Sequence, residues 1–449
     1  MKLLVGLLAL LAVFNAQRPM LLSGVPRVFD PRFGAVEAFR ARGRADAAGV
    51  RWSRLVFNWG SIQPNGPRSW NGFYFPEDAL DKEFNSGRRV VGLLIGTPAW
   101  AGDGSPNGVP RGLELSPDDP DNAWGAFARQ MAERYRGRID NWVIWNEPDI
   151  WDPGSPLYTW SGSVEQFYRL QKVAYLAIKQ GNPKATVGLP GLTYWWDEHY
   201  GRPQYLERLL EVAGRDPEAA ANNWFFDATV LHLYNDPAGL YRATTLFKEL
   251  MAARGLSKPI WINETNVAPW DDPTNPLPRA DFRATLEEQA SYVIQAFAWG
   301  LAAGAEHISV YPFFDGDTPP GQEQMGLVRR DGSTRPAYRA LETVTDRLSG
   351  VREARVERRD EAVEIALQRD GETVTVAWSA VPRPVSVAIP ARVARALLVD
   401  KYGGERPLAP TDGAYRITLE PATANTVDGD PARYLIGGSP VLLVEASQT

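Results

Sequence analysis

Between about residues 24 and 349, short apolar runs alternate with longer amphipathic segments, and this alternation is what most restricts the fold. The clearest runs are 51–57 (RWSRLVF), 90–95, 141–146 (NWVIWN), 186–189, 225–232, 259–263 (PIWIN) and 307–312. Each is short, rich in β-branched and aromatic residues, and apolar at consecutive positions, as strands of a helix-covered parallel sheet should be. The segments between them, among them 123–135, 164–180, 204–212, 243–254 and 285–303, carry apolar residues every three and four positions. With a first strand expected near 25–29, the count reaches eight. Eight βα units over about 325 residues predict an α/β fold, a closed (β/α)₈ TIM barrel, rather than an open doubly wound sheet. No Gly-rich dinucleotide fingerprint and no P-loop follows any of the runs, which weighs further against the open sheet.

Past Ser349 the texture changes to short strands at 351–357, 362–368, 373–379, 385–389, 396–399, 415–419 and 441–444. Turn signals such as Arg369-Asp370-Gly371 and Thr411-Asp412-Gly413 separate them. Residues 350–449 are therefore expected to form an all-β sandwich, an accessory domain to a catalytic barrel over 24–349. At the other end, Lys2 and the apolar run 3–14 have the form of a secretory signal of about 16 residues, which implies a secreted or extracytoplasmic protein. The cleavage site is poor, with Phe14 at −3 from Ala16, so a hydrophobic first strand of a cytoplasmic enzyme stays open. No later stretch is long and apolar enough for a transmembrane helix, so stable membrane insertion is not expected.

A net charge of −6 argues against nucleic acid as a partner, because phosphate binding needs concentrated positive charge. The absence of Cys excludes thiolate metal sites, Cys nucleophiles and disulfides. The three His residues, His199, His232 and His307, form neither HxH nor HExxH, so neither a metal nor a cofactor is expected. Sixteen Trp is well above ordinary usage; such rings fill cores, and they also offer flat apolar faces to sugar rings.

The chemistry rests on two carboxylates. In a barrel of this kind the reacting groups sit at the C-terminal ends of the strands. The run 141–146 leads straight into Glu147 (WNEPD), and 259–263 leads into Glu264 (WINET), on the expected fourth and seventh strands. A single Glu after a strand is most often a helix cap or a surface group. Two in equivalent positions, each preceded by Asn and an aromatic-rich strand, fit the carboxyl pair of a glycosidase.

These motifs resemble clan A of the retaining glycoside hydrolases, most closely the family 39 β-xylosidase type. The supporting stations are Arg54, Asn58-Trp59 and Gln63-Pro64 after strand two, Thr97–Ala101 (TPAWA) after strand three, His232-Leu233-Tyr234 after strand six and Tyr311–Phe314 on strand eight. The likeness implies that Glu147 is the general acid/base and Glu264 the nucleophile of a double displacement on a glycoside, oligosaccharide or polysaccharide, with β-linked sugars as the expected class. It also implies that Asn146 bonds the sugar hydroxyl beside the anomeric carbon, that Arg54 keeps Glu264 ionised, and that Tyr234 donates to the nucleophile. His232 is expected at sugar or carboxylate, and Trp59, Trp100, Trp151, Trp270 and Tyr311 as pocket walls; Trp145 is a further candidate that could instead face the helices. Strand one has no sugar-binding motif, and Tyr311, Phe313 and Asp315 do not align with the acidic residue or Trp that several clan members carry on strand eight. Transglycosylation on the same pair, or a non-catalytic carbohydrate-binding barrel, are the alternatives.

Overall fold

The computed structural model describes residues 29–72, 77–277, 284–316, 318–319, 321–423 and 434–446. Eight parallel strands close into a barrel: β1 (Phe33–Ala35), β2 (Trp52–Asn58), β3 (Arg89–Ile95), β4 (Asn141–Ile144), β5 (Thr186–Leu192), β6 (Ala228–His232), β7 (Ile260–Thr265) and β8 (His307–Val310). The first strand is three residues at Phe33–Ala35 and not the 25–29 stretch, of which all but Phe29 lies outside the described residues, as does the apolar run at 3–14. Among the described residues no helix is long and apolar enough to cross a membrane.

Alternation along the strands sorts the barrel's two faces. Trp52, Val56, Val91, Leu93, Val143, Ala228, Val230 and Trp261 form one apolar cluster inside the barrel. Residues of opposite parity, such as Phe57, Trp142, Ile144, Ile260 and Ile262, join the larger core under the helices. The floor is closed by rings: His307 lies edge-on to Trp52 (5.6 Å) and Trp261 (5.1 Å), and burial pulls its pKa down to about 4. Trp52 fits because its register partner on β1 is Gly34, where a Cβ would stand 2.3 Å from the indole. The same parity that sends Trp52 inward sends Arg54 inward, one layer nearer the mouth.

The last barrel helix ends at Arg347, and the chain then enters a six-stranded sheet of order β14-β13-β16-β11-β10-β9. Its strands are β9 (Glu353–Arg359), β10 (Ala362–Arg369), β11 (Glu372–Ser379), β13 (Ala396–Asp400), β14 (Glu405–Leu408) and β16 (Val441–Ala446). A hairpin-like pair of β12 (Val385–Pro390) and β15 (Ala414–Leu419) covers one face, with Val385, Val387, Ile389, Tyr415, Ile417 and Leu419 against Leu398 and Leu443. Strand β14 was not foreseen: ERPL is almost wholly exposed and lacks the alternation that betrays a strand.

The other face of the sheet lies on the helix Leu286–Ala302, which follows β7. This helix is buried on nearly every side because it is covered twice, by the barrel and by the sheet. Trp299 meets Trp378 edge-on at 5.9 Å, and Gln295 exchanges hydrogen bonds with the backbone of Gly437 and Gly438 (3.0 Å each). Lys401 donates to the Glu287 carbonyl (2.9 Å) and to Ser291 (3.2 Å). The β-region therefore shares one apolar core with the barrel.

Candidate active site

Three irregularities at strand ends aim the functional side chains. On β4, Trp145 takes a left-handed φ of 71° and Glu147 one of 46°. Such backbone in bulky residues costs about 1–3 kcal/mol each and persists only where the surroundings over-determine it. Here Trp145 turns outward: its indole is fully buried against Trp124 and Trp160, and Nε1 donates to the Thr159 carbonyl (2.9 Å). The chain then rejoins β5 through the Asn146–Gly191 bridge and the Glu147 N–H to Gly191 carbonyl bond (2.9 Å). On β7 a regular strand would point Glu264 outward with Ile260 and Ile262. Register shifts against both β6 and β8 mark a bulge at Asn263–Glu264, and the extra residue swings Glu264 into the mouth.

On β6, His232 follows Ala228 and Val230 inward. Its imidazole needs Gly191 beside it, since a Cβ there would stand 2.1 Å from Nε2. Gly191 is a site residue that the sequence reading missed; the Pro190-Gly191 pair inside an apolar run was its only signal.

The groups so aimed converge. His232 Nδ1 lies 2.8 Å from Glu147 Oε1 and 3.5 Å from Glu264 Oε2. Tyr234 donates its hydroxyl to Glu264 Oε2, and the Arg54 guanidinium ion-pairs with Oε1. Glu147, His232 and Glu264 each bring one such atom to within 4.8 Å of the others, and all three are buried. Burial alone would raise the pKa of Glu264, but Arg54, then His232 and the Tyr234 hydroxyl outweigh it and hold the carboxyl below its ordinary value. The half-buried Tyr311 closes this side, its ring 6.2 Å from that of Tyr234 and 5.8 Å from the Arg54 guanidinium, with its hydroxyl pKa pushed up to about 12 by burial. Two carboxylates and an imidazole could in principle ligate a metal. The atoms that face one another are already engaged, both Glu264 oxygens by Arg54 and Tyr234 and Glu147 Oε1 by His232 Nδ1, and a cation at Glu264 would have to share it with a guanidinium.

The remaining expected wall residues divide. Trp59 is a correction: fully buried, it stacks on Phe127 at 5.3 Å, packs on Trp124 and Trp100, and donates to Gln63 (2.8 Å), so no ring face is left for a ligand. Trp100 is half-buried and donates to the Gln63 carbonyl (2.6 Å). Gln63 and Thr97, whose hydroxyl donates to the Gly108 carbonyl (2.6 Å), brace the loops after β2 and β3. Trp151 and Trp270 are 43% and 41% exposed in the loops after β4 and β7. Asp315 points away from any subsite into a buried ion pair with Arg335 (2.7 Å), which also holds Asp272 (2.7 Å).

Asp149 was also missed. Its carboxylate, 1% exposed, accepts from the Thr193 N–H (2.7 Å) and hydroxyl (2.8 Å) and so ties the Glu147 loop to the end of β5. Burial, with Glu147 nearby, pushes its pKa up to about 7 against the Thr193 bonds.

No family model matches the chain. A curated β-xylosidase from Caldicellulosiruptor saccharolyticus is 23% identical over 293 residues, which are 58% of this chain and 54% of that protein. The chain is similar to a β-xylosidase. The match spans about half the length of that relative. Among solved structures, a family 39 glycoside hydrolase from Bacteroides cellulosilyticus superposes with a TM-score of 0.68 at 17% identity, covering 93% of this chain and 81% of that one. A family 30 endoxylanase from Clostridium papyrosolvens gives 0.59 at 15%, covering 94% and 98%. A monomeric β-xylosidase from Caulobacter crescentus gives 0.58 at 14%, covering 95% and 97%. At these identities the structural likeness is one of fold. The resemblance to the clan A glycoside hydrolases of the family 39 type is borne out.

Proposed function

We propose that this chain is a retaining glycoside hydrolase acting on β-linked sugars, a β-xyloside being the first to test. The observation that carries the reading is the approach of Glu147 and Glu264 to within 4.8 Å, with one of them held ionised by Arg54. Retaining pairs stand about 5–5.5 Å apart, whereas inverting pairs need about 6.5–9.5 Å to admit a water. Glu264 attacks the anomeric carbon as the bond to the leaving oxygen breaks, and Glu147 delivers its proton to that oxygen. Glu147 then takes a proton from water, the water oxygen bonds the anomeric carbon, and Glu264 leaves with its electron pair. Tyr234 and Arg54 fix the attacking carboxylate, and His232 links the two carboxyl groups. Asn146 is assigned to the neighbouring sugar hydroxyl by resemblance, and the apolar run 3–14 to export; the N-terminal sequence of the mature protein tests the latter.

The test of the chemistry is a panel of aryl β-glycosides offered to the wild type and to Glu264→Ala with azide. The variant alone should be inactive, and azide should restore turnover with an inverted glycosyl azide as product. Full activity of Glu264→Ala would overturn the assignment. Glu147→Ala should lose about 10²–10⁴-fold on substrates with poor leaving groups and far less on activated aryl ones, because only the former need the proton.

A further inference from the structure

We propose that an exposed aromatic wall formed by Trp151, Trp195 and Tyr200 binds the leaving-group sugars of an uncharged glycan chain; this rests on the reading of Glu147 as the acid. Large exposed rings are scattered singly on most protein surfaces, but these three are in one patch. Trp151, Trp195 and Tyr200 are 43%, 38% and 49% exposed. The Trp151 and Tyr200 rings are 5.4 Å apart, and the nearly buried Trp196 joins them from behind, 4.9 Å from Trp195, 5.4 Å from Tyr200 and 6.5 Å from Trp151.

The wall is placed by the barrel itself. Its residues lie in the loops that leave the C-terminal ends of β4 and β5, the same rim that carries Glu147. The Asp149–Thr193 hydrogen bonds lash those two loops together. Asp197, 1% exposed, fixes the short helix Trp195–His199 by accepting from Arg208 on both oxygens (2.9 Å each). Arg202 lies 5.0 Å from the centre of the Trp151 ring, within reach of a cation–π contact. The rings are therefore oriented before any ligand arrives, which lowers the entropy lost on binding.

The occupant follows from position and charge. A general acid protonates the leaving oxygen, so the sugars beyond the cleaved bond lie on its side of the site. Pro148, next to Glu147, and Trp151 line one cleft of about 510 Å³ with Tyr205, whose buried hydroxyl has no partner among the described residues. The charges along that cleft nearly balance: Arg202, Arg208 and Arg215 stand with Glu165 and Glu211, and the buried Asp197, which is not part of the lining, already pairs with Arg202 and Arg208. Aromatic faces with balanced charge suit the C–H faces of neutral sugars rather than uronates.

The test compares wild type with Trp195→Ala/Tyr200→Ala, both substitutions at exposed side chains. The ratio of kcat/KM on xylo-, cello- or manno-oligosaccharides to that on the matching aryl β-glycoside should fall about tenfold, through KM, and Trp195→Phe/Tyr200→Phe should restore much of it. An unchanged ratio would overturn the wall's role. Calorimetric titration of the same oligosaccharides into both proteins decides the wall without catalysis: equal affinities sink it. Tighter binding of glucuronate-bearing than of plain oligosaccharides would overturn the uncharged occupant. If the wild type cleaves no glycoside, the hydrolase reading fails while the titration still judges the wall.

Discussion

Glu264 is surrounded by groups that favour its charge, and Arg54 is the one that no pH change can discharge. At the same scale, the position of His232 is set by what its neighbour lacks. A methyl at residue 191 would fall inside the imidazole, which must then leave Glu147. Gly191→Ala is expected to fold and to lose about 100-fold in kcat/KM, since a displacement near 1 Å in a catalytic constellation costs about that much. Steady-state kinetics beside a thermal melt would check this, and unimpaired turnover would mean that the His232 contact is dispensable. The two carboxylates were legible in the sequence because each directly follows an apolar run, whereas Arg54, His232 and Tyr234 were named through the resemblance to the glycoside hydrolases. Gly191 and Asp149 were not legible, because a glycine's clearance and a carboxyl's burial depend on what the neighbouring strand brings.

At the scale of elements, strands β2 to β8 could be read from composition because their flanks change abruptly to polar helix. Strand β1 could not: FGA is three residues long, and its pairing with β2 and β8 rather than its apolarity makes it a strand. The bulge on β7 and the left-handed turns after β4 were equally hidden, although they decide which way Glu264 and Trp145 point. The burial of Asp149 between the Glu147 loop and the end of β5 has a measurable signature. Its pKa is raised on folding, from 3.8 to about 7, so the folded state holds the proton longer than the unfolded chain. The associated stability is fully present below about pH 4 and is lost as pH rises through about 7. Asp149→Asn should remove this slope, its stability relative to wild type rising by on the order of 2–4 kcal/mol between those pH values. Denaturant titrations of both proteins would read it, and parallel pH profiles would refute it.

For the whole molecule, the sequence divided the chain at Ser349 by a change of texture. The structure adds that the helix Leu286–Ala302 is shared by the two regions, with Trp299 and Trp378 meeting across the boundary. A chain ending at residue 349 should therefore be insoluble, because each large apolar side chain uncovered costs about 1.5–3 kcal/mol. Soluble yield and cooperative melting of the truncated chain are the measurements, and a well-behaved isolated barrel would contradict the shared core.

The inside of the barrel also bears on how such a chain can change over time. Trp52 needs Gly34 and His232 needs Gly191, in each case on the adjacent strand. A larger residue at either glycine is blocked while the ring stays, and losing the ring first leaves a void beside the glycine. Routes to a differently shaped lumen therefore pass through coupled substitutions on neighbouring strands, and single steps there are dead ends.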